Sequence, residues 1–207
     1  MVWNDFPANR YGVMQELLQQ VVTPDAVVVD LGAGKESVSA SVICRLRVSL
    51  DILPEASPSV ICNLVDNLPL KDNTVDVAVA GEILEHITES RRFLQEIQRV
   101  LIPKGWLILS VPNIVSLKYR FAFLMGQIPR FAARADYTYS QDNPVGLRGH
   151  VRDYSYKEVC DVLADQGFRV VSQHSIGLHW NGRRIIPPWL MPVTFSDNVI
   201  VKAILDK

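Results

Sequence analysis

Charge of a dominant sign is missing from this sequence: 21 lysines and arginines face 22 aspartates and glutamates, a net −1 over 207 residues. No global field therefore draws the chain to DNA, RNA or an anionic membrane, and no nucleic-acid partner is expected. Cysteine is scarce as well. Cys44, Cys62 and Cys160 are scattered, form no CxxC pair, and have no ligand spacing with His86, His150, His174 or His179. That pattern excludes a disulfide framework and a cysteine–histidine zinc motif, and no metal is expected. Three isolated cysteines suit a reducing compartment, so the expected location is cytoplasmic. No apolar run approaches the roughly 20 residues of a spanning helix, and the first dozen residues lack the basic-then-apolar pattern of a secretory signal. Membrane contact, if the acceptor brings it, is expected to be peripheral. Internal repeats and low-complexity tracts are absent too. What remains, 48% hydrophobic and 21% charged residues, is ordinary globular composition, long enough for one domain spanning 1–207.

Periodicity supplies the architecture. Val13, Met14, Leu17, Leu18 and Val21 recur at helical spacing over Tyr11 to Val22. Residues 26–31 (AVVVDL) form a short β-branched apolar run, as in a central parallel strand covered on both faces. A weaker helical stretch over 37–44, a strand over 47–53 and another within 59–64 follow. Residues 74–80 alternate with strand period, and 83–101 carry one amphipathic stripe read as a single helix. Pro103-Lys104-Gly105 is a turn before a buried strand at 106–111. Ser116 to Met125 reads as a short helix, after which residues 126–149 are irregular. Ser155 with Glu158 makes a capping box opening a helix over 156–166, closed by Gly167. Strands at 168–172 and 199–205 finish the chain, separated by a Pro-rich loop. Strands alternating with helices predict an α/β fold on a parallel sheet.

The strongest chemical signal is Asp30-Leu31-Gly32-Ala33-Gly34 directly after the first strand. Glycines there let the backbone turn sharply and approach a ligand, with a helix N-terminus expected to donate free N–H groups. Asp51 ends the next strand, where a carboxylate can accept both hydroxyls of an adenosine ribose. The bland reading is a tight turn followed by a solvated aspartate. A nicotinamide enzyme is disfavoured, because Ser37 stands where G-x-G-x-x-G needs its third glycine.

These residues belong to a longer series: Val27 to Gly34, Leu50-Asp51, Leu68-Pro69-Leu-Lys-Asp72-Asn-Thr-Val-Asp76, Ile83-Leu-Glu85-His86, and Arg99 to Gly105. In that order and spacing the chain resembles the class I S-adenosylmethionine-dependent methyltransferases, specifically the type 11, Rossmann-like small-molecule group. The resemblance implies a seven-stranded sheet, mostly parallel with an antiparallel last strand and helices on both faces. It implies S-adenosylmethionine as cofactor. Gly32, Ala33 and Gly34 would pass under the methionine part, with Asp30 fixing the loop. Asp51 would hold the ribose, Ile52 would pack on adenine, and Asn63 and Leu64 would address the adenine ring. Gly81 and Glu82 would lie along the methionine amine. Glu36 replaces the family's third loop glycine.

Methyl transfer asks mainly for alignment, with a base if the acceptor is a hydroxyl. His150 and His86 are the candidate catalytic residues. A capping or core role for His86, and a structural role for His150, are the competing readings. Residues 114–148 hold the position of an acceptor cap, and its Lys118, Arg120, Arg130, Arg134 and Arg148 would meet a phosphate-bearing acceptor or simply form a solvated face. The implied activity is methyl transfer to a small-molecule or lipid-linked glycan acceptor, at oxygen. The alternative is a catalytically inactive S-adenosylmethionine-binding module. Base methylation is disfavoured, since Gly81-Glu82-Ile83-Leu84 stands where an Asn-Pro-Pro-Tyr or catalytic-cysteine motif would be.

Overall fold

The computed structural model describes residues 9–35, 37–128, 150–180 and 183–207. Helix α1 (Arg10–Val21) begins where Asn9, itself extended, accepts the Gly12 N–H at 3.0 Å. An asparagine oxygen satisfies an otherwise orphaned donor in the first turn of a helix. Its buried stripe is Val13, Met14, Leu17 and Leu18. Strand β1 (Val27–Leu31) is buried at every residue. It is followed by β2 (Leu46–Asp51), β3 (Val60–Ile61), β4 (Val75–Gly81), α2 (Ser90–Val100), β5 (Leu101–Pro112), α3 (Leu117–Leu124), α4 (Tyr156–Ala164), β6 (Phe168–His174), β7 (Leu178–Trp180), β8 (Arg183–Ile186) and β9 (Asn198–Leu205).

Seven strands form one sheet in the order β3-β2-β1-β4-β5-β9-β6. The first five run parallel, and β9 lies antiparallel between β5 and β6. Both apolar layers are filled. Phe93, Leu94 and Ile97 of α2 with Val159 and Leu163 of α4 pack on one face. On the other, Met14, Leu17 and Leu18 of α1 meet Val28, Val77, Val79, Ile108 and Ile200. This is the expected mixed sheet with helices on both faces. The strand order reverses between β1 and β4, the point beyond whose carboxyl ends open α/β sheets take their ligands.

Part of the family-like series turns out to be a structural clip. The Arg99 guanidinium donates to both carboxylate oxygens of Glu96 (2.9 and 2.7 Å), to Asp72 (2.6 Å) and to the carbonyls of Leu68 (3.0 Å) and Leu70 (2.9 Å). Glu96 in turn accepts the Leu68 N–H at 2.8 Å. The second aspartate, Asp76, accepts the Val27 N–H at 2.7 Å and so fixes the start of β1. Asp72 and Asp76 thus hold the loop and the start of a central strand.

Several elements depart from the periodicity. Residues 37–44 form only a single 3₁₀ turn, Val38–Ser41. The stripe over 83–101 is interrupted: Leu84–His86 is a 3₁₀ turn, and the helix starts at Ser90. Two backbone donors from a distant segment, Val151 and Arg152, bond the Glu85 carbonyl at 2.9 and 3.3 Å. That carbonyl is then spent on tertiary structure instead of on the next helical turn. Pro103-Lys104-Gly105 lies inside β5 as an irregularity, with the pairing jumping from Val75–Leu101 to Val77–Trp106 and Lys104 at φ +64°. The third strand shrinks to two residues, and part of the Pro-rich loop, Arg183–Ile186, pairs with β7 as a small hairpin.

Candidate active site

The loop after β1 is shaped by two left-handed glycines, Gly32 at φ +69° and Gly34 at φ +55°. Gly32 N–H donates to the Leu50 carbonyl at 2.8 Å, tying the loop to the end of β2. A Cβ at Gly32 would stand 2.8 Å from the Ile83 side chain, whereas one at Gly34 would meet nothing within 4 Å among the described residues. Packing against the segment after β4 therefore constrains Gly32, in addition to the sharp turn and ligand approach expected of it. Gly34 is the glycine that faces open space. Asp51 is buried, and accepts the Gly34 N–H at 2.8 Å and the Leu53 N–H at 2.9 Å, one on each carboxylate oxygen. Asp30, also buried, accepts the Ser39 N–H (3.1 Å) and the hydroxyls of Ser37 and Ser39. It anchors the far limb of the loop, while the expected helix N-terminus is replaced by the 3₁₀ turn. Glu36 lies outside the described residues.

Around this loop, Ala33 and Leu64 are buried, Ile52 is half-buried and Asn63 is exposed. Asn63 accepts the Val65 N–H at 3.2 Å, a local turn that holds its amide at the rim. The Cys62 N–H reaches the Asp51 carbonyl at 2.9 Å, bringing this strip beside the carboxylate.

Beyond β4, Glu82 takes a left-handed φ of +53°. Its N–H donates to the Ser110 carbonyl, and its carboxylate accepts the Ser110 hydroxyl (3.0 Å) and the Asn198 amide (3.2 Å), with Arg10 at 3.9 Å. Burial raises the Glu82 pKa, against the opposing pull of Arg10 and these hydrogen bonds.

Glu85 is almost fully enclosed, 2% exposed, and its Oε2 has no hydrogen-bond partner among the described residues. Burial first, then the negative charge of Glu82, pushes its carboxyl well above the usual range. The hydrogen bonds to the Glu85 carbonyl lay the 150–152 segment over the 3₁₀ turn, so the His86 and His150 rings meet edge to face with centroids 5.2 Å apart. His86 Nε2 stands 3.9 Å from Glu85, and His150 Nδ1 3.9 Å from Asp153. Burial, and then the His86 charge, lower the His150 pKa, with Asp153 pulling the other way. The structure thus joins two histidines named separately from sequence and adds Glu85, which the sequence reading gave no role. The Glu85-His86 dipeptide was a local signal for it, but no spacing rule ties it to His150.

Of the cations in the cap segment, Lys118 pairs with Asp197 at 3.7 Å and Arg120 stacks over the Phe195 ring at 4.8 Å. Both support the fold locally. Arg130, Arg134 and Arg148 lie outside the described residues.

This arrangement, a glycine turn after β1 beside an acid ending β2 at the reversal of strand order, has counterparts in known proteins. A family model described as a methyltransferase domain matches residues 29–109. A curated relative, a "probable S-adenosylmethionine-dependent methyltransferase" of Mycobacterium tuberculosis, is 33% identical over 101 residues. Over these residues the chain is similar to a methyltransferase domain. That match covers 49% of this chain and 29% of the mycobacterial protein, less than a third of the relative's length. Two solved structures share the fold of this chain. A SAM-dependent methyltransferase from Thermotoga maritima superposes with TM-score 0.65 at 14% identity, over 95% of this chain and 89% of that one. The 1,6-didemethyltoxoflavin-N1-methyltransferase of Burkholderia thailandensis, solved with S-adenosylhomocysteine, gives 0.62 at 17%, over 99% and 81%. Among the described residues, no helix is long and apolar enough to cross a membrane.

Proposed function

We propose that the protein is an enzyme that transfers the methyl group of S-adenosylmethionine to an oxygen of a small-molecule or glycan-type acceptor, in the crevice beyond β1 and β4. One observation carries the reading: Asp30, Gly32, Ala33, Gly34, Asp51, Ile52, Asn63, Leu64, Gly81 and Glu82 all lie in the last residues of β1 to β4 or just past them. The residues fit the cofactor. Among the described residues Gly34 faces open space and each Asp51 oxygen accepts one backbone donor, which leaves lone pairs for ribose hydroxyls.

When bound, S-adenosylmethionine supplies a methyl group already activated by its sulfonium. The chain's share is alignment and proton handling. Asp51 and the glycine loop fix the cofactor end, and Glu82, held by Ser110 and Asn198, presents a carboxylate where the methionine amine is expected. His150 and His86 stand at the acceptor end. The lowered His150 pKa keeps that imidazole neutral, the form that accepts a hydroxyl proton. Residues 114–148 serve as the acceptor cap of a single domain.

Two measurements test this. Calorimetric titration with S-adenosylmethionine should show one saturable site, and labelled cofactor with fractionated host extract should yield a labelled product. Binding without turnover on any fraction would favour the inactive binding module. His150→Ala should keep cofactor affinity within about twofold, roughly 0.4 kcal/mol, while turnover falls on the order of 10²-fold. Full turnover in that variant would remove His150 from the mechanism.

A further inference from the structure

We propose that Glu85, His86 and His150 form a binding site for a divalent transition-metal ion at the acceptor end of the crevice. One carboxylate oxygen and one ring nitrogen from each histidine all lie within 4.8 Å of one another. Bonds of about 2.0–2.2 Å from nitrogen and carboxylate ligands place such atoms roughly 3–3.5 Å apart, so small side-chain rotations close the shell. Elements distant in sequence had to be brought together to make this group, and the hydrogen bonds from Val151 and Arg152 to the Glu85 carbonyl do so.

The second observation is the enclosed carboxylate. Glu85 is 2% exposed, and its Oε2 has no donor among the described residues. A buried acceptor in that state forfeits its solvation without recompense, and a coordinated cation removes the penalty. Asp153 lies 3.9 Å from His150 Nδ1, close enough to orient that imidazole after a small side-chain rotation.

The donor set identifies the class of ion. Two imidazoles and one carboxylate suit Zn²⁺, Mn²⁺, Fe²⁺ or Co²⁺, whereas Mg²⁺ and Ca²⁺ favour oxygen-only shells. Three protein ligands leave at least one coordination position open. In its consequence for catalysis this rests on the methyl-transfer reading: an ion there would polarise the acceptor oxygen, and His150 would act as a ligand in place of a base.

Binding can be measured without any acceptor. Full-length protein is stripped with chelator and titrated with Mn²⁺ by electron paramagnetic resonance and with Co²⁺ by visible absorption. One ion per chain is expected, with a higher melting temperature in Mn²⁺ than in equimolar Mg²⁺. Glu85→Gln, a near-isosteric change that preserves packing, and His86→Ala should each weaken Mn²⁺ binding at least tenfold, while cofactor affinity in calorimetry stays within about twofold. Absence of a stoichiometric site in the wild type would overturn the proposal, as would either folded variant binding Mn²⁺ like the wild type. The two readings fail separately. A specific metal site in a protein that methylates no fraction leaves this inference standing and removes the proposed activity. Full methyl transfer by chelator-stripped protein that binds no Mn²⁺ does the reverse.

Discussion

Asp51 has two duties at once. Its carboxylate holds the Gly34 and Leu53 N–H groups, and on the proposed reading its remaining lone pairs take the ribose. Asp51→Ala removes a charged acceptor from both, so cofactor binding should weaken by about 1–3 kcal/mol. Calorimetric titration of mutant and wild type checks this, and equal affinities would refute the ribose assignment. Gly32 is constrained differently. Any side chain there adopts a left-handed backbone and pushes into Ile83, whose Cδ1 lies 2.8 Å from the position of a Cβ. Gly32→Val should therefore abolish cofactor binding and also cost about 1–3 kcal/mol of stability, read from urea unfolding. A variant that bound normally would show that the loop tolerates rearrangement and does not set the site.

Among the elements, the clip built by Arg99 gives the sharpest test, because one guanidinium joins α2 to the loop between β3 and β4. Arg99→Leu leaves the half-buried Glu96 carboxylate without its bidentate partner and frees the carbonyls of Leu68 and Leu70. A loss of about 1–3 kcal/mol is expected. The effect has a pH signature. Hydrogen bonding from Arg99 is the main reason the Glu96 pKa is lowered in the folded protein. A folded-state pKa below the unfolded value contributes stability that is fully present above the unfolded value of about 4.3 and is lost as pH falls through the folded one. The stability gap between wild type and Arg99→Leu should thus be widest near neutrality and narrow in acid. Denaturant midpoints between pH 7 and pH 3 would show it, and a gap independent of pH would assign the clip's role to the carbonyls alone.

Across the whole molecule, the last strand decides whether the halves cohere. β9 pairs with both β5 and β6 and buries Val199, Ile200, Val201, Ala203 and Leu205. Nearby, Asn113 at the end of β5 donates to the carbonyls of Thr194 (3.2 Å) and Ser196 (2.8 Å), binding the approach to β9 into the same core. Removing residues 198–207 would expose apolar surface on two strands and strip both of backbone partners. Such a chain should lose cooperative unfolding altogether, as followed by circular dichroism in urea. A sigmoidal transition with the wild-type midpoint would mean the parallel half folds independently.

The sequence by itself determined whatever depends on neighbours along the chain. The β-branched runs of β1 and β5, the capping box of Ser155 and Glu158, the glycine turn and the acid ending β2 each declare themselves within a few residues, because period and local hydrogen bonding are short-range. From these the fold was legible, and with it the loop and acid on which the proposed cofactor site rests. The helix over 83–101 failed because periodicity cannot see that the Glu85 carbonyl is spent on Val151 and Arg152. The helix after the glycine loop failed in a similar way, with the Ser39 N–H given to Asp30. Only the tertiary structure decided that Glu85, His86 and His150 meet. Nothing local links residue 86 to residue 150, and the backbone bonds that join them form only once the sheet has placed both segments at the same end.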